Sequence, residues 1–192
     1  MEFEGPEHRK RMTRHEIRGG ARFVTFSCQH RMPLMGHPLI RDAFAAALVQ
    51  MRARFPVQLF AWVVMPEHVH LMVRPRDEVP LAVPLKSLKQ AVAQRVILRW
   101  KKVAPDMLAR IADPEGRPRF WLKGGGFDRN VRTIAEFCRE VRYIHLNPVE
   151  RGLVKEPADW KWSSVRWWMG QREGEVECDP VPDVLPTWKG YV

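Results

Sequence analysis

Apolar and polar positions alternate in some stretches of this chain and recur at helical spacing in others, and the order of those stretches already limits the fold. Residues 21–28, ARFVTFSC, alternate and favour a strand. Residues 39–54, LIRDAFAAALVQMRAR, follow Pro38 and stop before Pro56, which predicts a helix. Two further strands are predicted at 58–65, QLFAWVVM, and 68–74, HVHLMVR; only Pro66 and Glu67 lie between them, so they form a tight hairpin. A longer helix follows over roughly 84–102, with Leu85, Leu88, Val92 and Val96 as its buried stripe and Lys86, Lys89 and Gln90 off it. RFWLK at 119–123 predicts a fourth strand that ends at Gly124, Gly125 and Gly126.

Strand, helix, strand, strand, helix, strand is the ferredoxin-like order. The expected fold class is therefore α+β: an RRM-like antiparallel sheet with helices on one face. One more helix starts after that sheet is complete. Thr133 followed by Glu136 matches a capping box, and Pro148 is expected to end the segment. Trp160, Trp162, Trp167 and Trp168 need burial, so their stretch should dock on the domain. Three regions result: a basic arm at 1–20 with Arg9, Lys10, Arg11, Arg14 and Arg18, a domain at 21–169, and an extended tail at 170–192.

Composition narrows the class. With 45% hydrophobic and 28% charged residues, the 192-residue chain reads as a soluble globular protein. No stretch approaches the roughly 20 apolar residues of a membrane span, and the first 20 residues lack a signal peptide's apolar centre. A cytoplasmic protein is expected. Cys28, Cys138 and Cys178 are odd in number and widely spaced, which suits neither a disulfide framework nor a zinc site. The net charge of +10 and pI of about 10.1 attract polyanions. Nucleic acid is the commonest of these in a cytoplasm, although an anionic membrane or ribosomal surface satisfies the same field.

Two places carry candidate chemistry. On the strand 68–74, Val69, Leu71 and Val73 share the core-directed face, and His68, His70, Met72 and Arg74 share the other. Two imidazoles two residues apart on one sheet face can reach a common metal ion; the alternative is a pair of surface or hydrogen-bonded histidines. A histidine-triad hydrolase would need a third His where Met72 stands. On the helix after Thr133, Ile134, Phe137, Cys138, Val141 and His145 form the core face. Tyr143 falls nearly opposite, sharing its side with Arg139, Glu140 and Asn147. His145 reads as structural, and Asn147 doubles as a helix terminator before Pro148.

VVMPEHVHLMV at 63–73 and YIHLNPVERGLV at 143–154 resemble the paired signatures of single-tyrosine HUH transposases, closest to the REP-associated tyrosine transposases. RGGARFVTFSCQHRMPLM at 18–35, FWLKGGGFDRNVRT at 120–133 and WKWSSVRWWMG at 160–170 extend the resemblance over nearly the whole chain. The resemblance implies that His68 and His70 are metal ligands, Tyr143 the nucleophile and Asn147 a third ligand. It implies Mg²⁺ or Mn²⁺ and cleavage of single-stranded or hairpin DNA through a 5′-phosphotyrosine. It also implies a monomer or homodimer, without a membrane partner, associated with the nucleoid. Lys86, Lys89 and Lys123, and by position Arg129 and Arg132, are the DNA-contact candidates. A non-cutting module that binds hairpin DNA or RNA, and a phosphodiesterase that uses water, are the rival readings.

Overall fold

β1 (Ala21–Cys28) lies inside a four-stranded antiparallel sheet because both its edges find partners. In this computed structural model, which describes residues 20–76, 79–172, 174 and 176–181, it pairs with β3 (His68–Pro75) and with β4 (Trp121–Val131). β2 (Val57–Val64) pairs only with β3 among the four strands, so the order is β2-β3-β1-β4. That is the antiparallel ferredoxin-like arrangement the element order predicts.

Alternation divides the sheet into two buried faces. Val24, Phe26, Val69, Leu71 and Val73 point to α1 (Pro38–Arg54) and α2 (Ala82–Val103), which together form the larger core. Pro38 opens α1 in its first turn, and Phe55 closes it just before Pro56. Leu88, Val92, Val96 and Trp100 are the buried stripe of α2, while Leu85 is half-buried. Fully buried Phe44 and Leu48 on α1 each contribute about 1.5–3 kcal/mol of transfer free energy. A short helix, α3 (Pro105–Arg110), leads from α2 towards β4. On the opposite face Phe23, Phe60, Val63 and Met72 pack against Phe137, Val141 and Ile144 of α4 (Ile134–Glu150).

Two boundaries differ from the sequence expectation. β4 does not stop at its glycines but continues to Val131, pairing Gly126 with Phe26 and Val131 with Ala21. It is an edge strand with one neighbour, so backbone pairing continues without cross-strand side-chain packing. Gly124, at φ +66°, sits beside the register shift between Phe26 and Cys28. Likewise α4 runs past Pro148 to Glu150. A proline in the last turn forfeits one helical bond, and the end is closed instead by Arg151 N–H to Asn147 O and Leu153 N–H to Pro148 O. At the other end, Thr133 Oγ1 accepts from Glu136 N as the cap requires. The Glu136 carboxylate accepts from Arg132 N, one residue earlier than a capping box would have it.

The stretch after α4 covers β2's free edge. Val64 N–H donates to Trp162 O and Ser164 N–H to Trp62 O. Trp160 and Trp168 donate their indole N–H groups to Val64 O and Phe60 O, and Trp162 donates to Asp42. Trp167 and Trp168 belong to the four-residue helix α5 (Val165–Trp168). The tryptophans thus dock as expected, and an edge open to aggregation is closed. Val176 and Cys178 are buried against the larger core, and Asp179 N–H donates to Leu59 O. The basic arm through residue 19 and the chain from residue 182 lie outside the described residues. Among the described residues no helix is long and apolar enough to cross a membrane.

Candidate catalytic and metal site

The register of β1 against β3 sets Thr25 opposite His70 and Ser27 opposite His68. These four side chains therefore lie on one face, the one that α4 partly covers. The His68 and His70 Nε2 atoms are 2.9 Å apart. Each ring is held from behind at Nδ1: His68 by the Glu67 carboxylate at 3.1 Å, and His70 by Thr25 Oγ1 at 2.7 Å. Placing the proton on each Nδ1 lets it donate to that oxygen and frees both Nε2 atoms as electron-pair donors, the tautomer of metal-ligating imidazoles. Burial lowers the pKa of His68, opposed by the Glu67 carboxylate. His70 is pushed down to about 3 by burial, with the neighbouring His68 adding to the effect. Neutral rings are the ligating form.

α4 brings two more groups to the same place. The Tyr143 ring stands 5.2 Å from the His70 ring and 6.0 Å from Phe23, and it is 39% exposed. Asn147, one turn further on, is only 4% exposed, and its Oδ1 is buried without a hydrogen-bond partner. It neighbours His68, whose protonated form its side chain favours slightly. The helical pattern set Asn147 with Tyr143, away from the core. Tyr143 is indeed half open, but Asn147 and Ile144 are buried and Ile134 is exposed. α4 packs against the sheet and against the segment that follows it, so its buried arc is wider than one stripe. His145 lies on that arc, wholly buried, with Nε2 2.8 Å from Ser164 Oγ and a pKa pushed down to about 3 by burial. It is a neutral structural histidine.

The residues present fit a divalent ion. Two ligands at adjacent corners of an octahedron with bonds of about 2.1 Å are about 3.0 Å apart, close to the observed Nε2 separation. The buried Asn147 oxygen without a hydrogen-bond partner is a donor of the kind magnesium and manganese accept and would be the third ligand. No group of three His, Cys, Asp or Glu side chains suited to a metal occurs among the described residues.

Four further residues at the site, Thr25, Ser27, Arg31 and Arg151, escaped the sequence reading. Thr25, Ser27, Arg31, Glu67, His68, His70 and Arg151 line a cleft of about 340 Å³. Arg151 meets Glu67 at 2.6 Å. Arg31 follows His30, and both hold left-handed backbone, φ 52° and 53°. This costs about 1–2 kcal/mol per residue. Hydrogen bonds from Cys28 N–H to Glu67 O and Met35 N–H to Pro66 O tie the flanking chain to the β2–β3 turn. Thr25 and Ser27 were legible in principle, from their alternation with Val24 and Phe26. Nothing in the sequence pattern points to Arg31 or Arg151, which tertiary packing alone delivers.

The five basic candidates are scattered. Lys86 and Lys89 line a groove on the opposite side of the sheet, where Lys89 Nζ stands 5.3 Å from the Phe26 ring. Lys123 is exposed on β4, Arg132 is exposed ahead of α4, and Arg129 is ion-paired with Glu140.

A two-histidine strand beside a one-tyrosine helix, on a ferredoxin-like sheet, is the layout of single-tyrosine HUH enzymes. The model of the IS200-like transposase family matches residues 21–110. A REP-associated tyrosine transposase of Escherichia coli K12 is 25% identical over 157 residues, 79% of each chain. A Haemophilus influenzae relative assigned to the same group is 24% identical over 77% of this chain and 80% of its own. Among solved structures, a REP-associated tyrosine transposase bound to a REP hairpin superposes with a TM-score of 0.65. It is 22% identical and covers 91% of this chain and 92% of its own, so the two share a fold. The chain is therefore similar to IS200-like transposases over residues 21–110, and the curated relatives it resembles are of the REP-associated tyrosine transposase kind.

Proposed function

We propose that this protein nicks and rejoins single-stranded DNA, with Tyr143 as the nucleophile and His68, His70 and Asn147 as ligands of one Mg²⁺ or Mn²⁺ ion. The observation that carries the reading is the convergence of the two Nε2 atoms beside the half-open Tyr143 ring. When bound, the ion polarises a non-bridging oxygen of the scissile phosphate. Tyr143 Oη attacks phosphorus, the P–O3′ bond breaks, and the phenol's proton is made up on the departing 3′ oxygen. The product is a 5′-phosphotyrosine and a free 3′-hydroxyl. Because the phosphoester is kept, a 3′-hydroxyl can reverse the step without ATP. Water as nucleophile would only cut.

Glu67 and Thr25 hold the imidazoles in place, and Arg31 and Arg151 bring positive charge to the cleft for the DNA backbone. A hairpin is the expected substrate, in line with the hairpin-bound relative and with the net charge of +10. Tyr143 and both histidines meet within one chain, so the reading needs no second subunit. Nucleoid association follows if repeated hairpins in the genome are its targets.

The test is an end-labelled hairpin oligonucleotide incubated with Mn²⁺ or Mg²⁺ and run on a denaturing gel. A slower, protease-sensitive band that requires metal is expected, and Tyr143→Phe should reduce it about a thousandfold or more while binding survives. Cleavage persisting in Tyr143→Phe would sink the nucleophile assignment. Tight binding without an adduct, across a library of the host's own repeats, would instead establish the non-cutting module.

A further inference from the structure

We infer that Phe127 is a stacking platform for a base of single-stranded DNA at the edge of the Tyr143 site. The inference rests on the reading of the chain as a DNA-binding enzyme and says where one base of that substrate lies. Phe127 is 45% exposed, and among the described residues it and Tyr143 are the only Phe, Tyr or Trp side chains more than about a third open to solvent. The two are linked. Each stands edge-on to the same buried Phe23 ring, Phe127 at 6.4 Å and Tyr143 at 6.0 Å. Phe23 in turn stacks on His70.

Sheet register gives the same picture independently. Phe127 is paired with Thr25, and Thr25 with His70, so the three form one row across β4, β1 and β3 on the face that carries the site. α4 covers the β2 and β3 side of that face, and Phe127 at the β4 edge stays open. A structural phenylalanine would be buried by its neighbours, but this one only extends an aromatic shelf outward from the candidate nucleophile.

The charge around the shelf suits a nucleic acid. Arg31 and Arg151 lie in the adjoining cleft, Arg129 is two residues along β4, and Lys123 is exposed on the same strand. Bases stack on aromatic faces with little sequence preference, at about 1–3 kcal/mol per base. Sheets of this topology in RNA-recognition modules use exposed aromatics in that way.

The experiment uses the full chain carrying Tyr143→Phe, so that no covalent product forms. Fluorescence anisotropy is read on two probes of equal phosphate number: an oligothymidylate of about 15 nucleotides, and an abasic backbone of the same length. Phe127→Ala should weaken oligothymidylate binding by about tenfold or more and leave abasic binding within about twofold. Phe127→Trp should restore the thymidylate affinity, and Phe127→Leu should not. Equal loss on both probes, loss on neither, or rescue by Leu overturns the inference, and melting curves of each variant separate misfolding from lost stacking. Because the readout is binding without cleavage, failure to form an adduct in the gel assay would count against the nucleophile and leave this result standing.

Discussion

On one face of the sheet Val24, Phe26, Val69, Leu71 and Val73 meet α1 and α2, and its polar members include the Arg22–Asp128 ion pair at 2.7 Å. On the other face, shifted by a single residue along the same strands, Phe23, Thr25, Ser27, His68, His70 and Met72 meet α4 or a cleft. A slip of one residue in strand pairing would exchange these two sets. The apolar face tolerates no such slip, because it would put Val and Leu in the polar cleft beside α4 and imidazoles in the larger core. The larger core therefore does more than stabilise the fold: it fixes the register that sets Thr25 behind His70 and brings the two Nε2 atoms within 2.9 Å of each other. Precision at the site is inherited from packing on the far side of the sheet.

That contrast can be probed with the thiols first. Burial pushes Cys28 and Cys178 up to about 12, whereas Cys138 on α4 is raised less and is partly open. A raised pKa means less thiolate at a given pH. Iodoacetamide at pH 8 should modify Cys138 in the native protein and spare Cys28 and Cys178 by roughly a thousandfold until the chain unfolds. Peptide mapping reads the result. The sign also runs the other way: the native state keeps protons that the unfolded chain gives up above about pH 9, so alkaline conditions favour unfolding.

Next in size, Phe44→Ala removes a fully buried ring from the larger core and should cost about 3–5 kcal/mol by urea denaturation. If the faces are coupled through register, site geometry should be lost in the same transition as the fold. A separate earlier transition on the α4 side would break the comparison. The smallest effect is expected from Thr133→Ala, which removes the α4 cap at a cost of about 1 kcal/mol. Its signature should be faster hydrogen exchange in α4 with little change in β1 and β3.

Much of the fold was legible because its local signals agree with its tertiary needs. The two-residue link between β2 and β3, the proline-bounded α1 and the stripe of α2 all say locally what the sheet requires globally. The failures are where context overrides the local sign. Three glycines read as a stop, yet an edge strand needs only its backbone to pair. Pro148 read as a terminator, yet two residues from the end of a helix it has little left to break. For the site, His68 and His70 could be seen from alternation alone, and Tyr143 from helical phase. Asn147 could not be placed correctly, because the segment that widens the buried arc of α4 follows that helix in sequence. Arg31 and Arg151 are some 120 residues apart and meet the cleft only through packing.

The central position of β1 has a consequence for the timing of synthesis. Its two partners are β3, at 68–75, and β4, which ends at residue 131. The strand made first must wait about 5–20 seconds on the ribosome, at typical elongation rates, before its second edge can pair. The histidine hairpin is complete long before then, and α4 emerges last of the three elements that meet at the site. A chain cut short between residues 70 and 143 would carry the proposed ion ligands His68 and His70 without the proposed nucleophile. Strand breaking by the proposed nucleophile would then have to wait until α4 had been made.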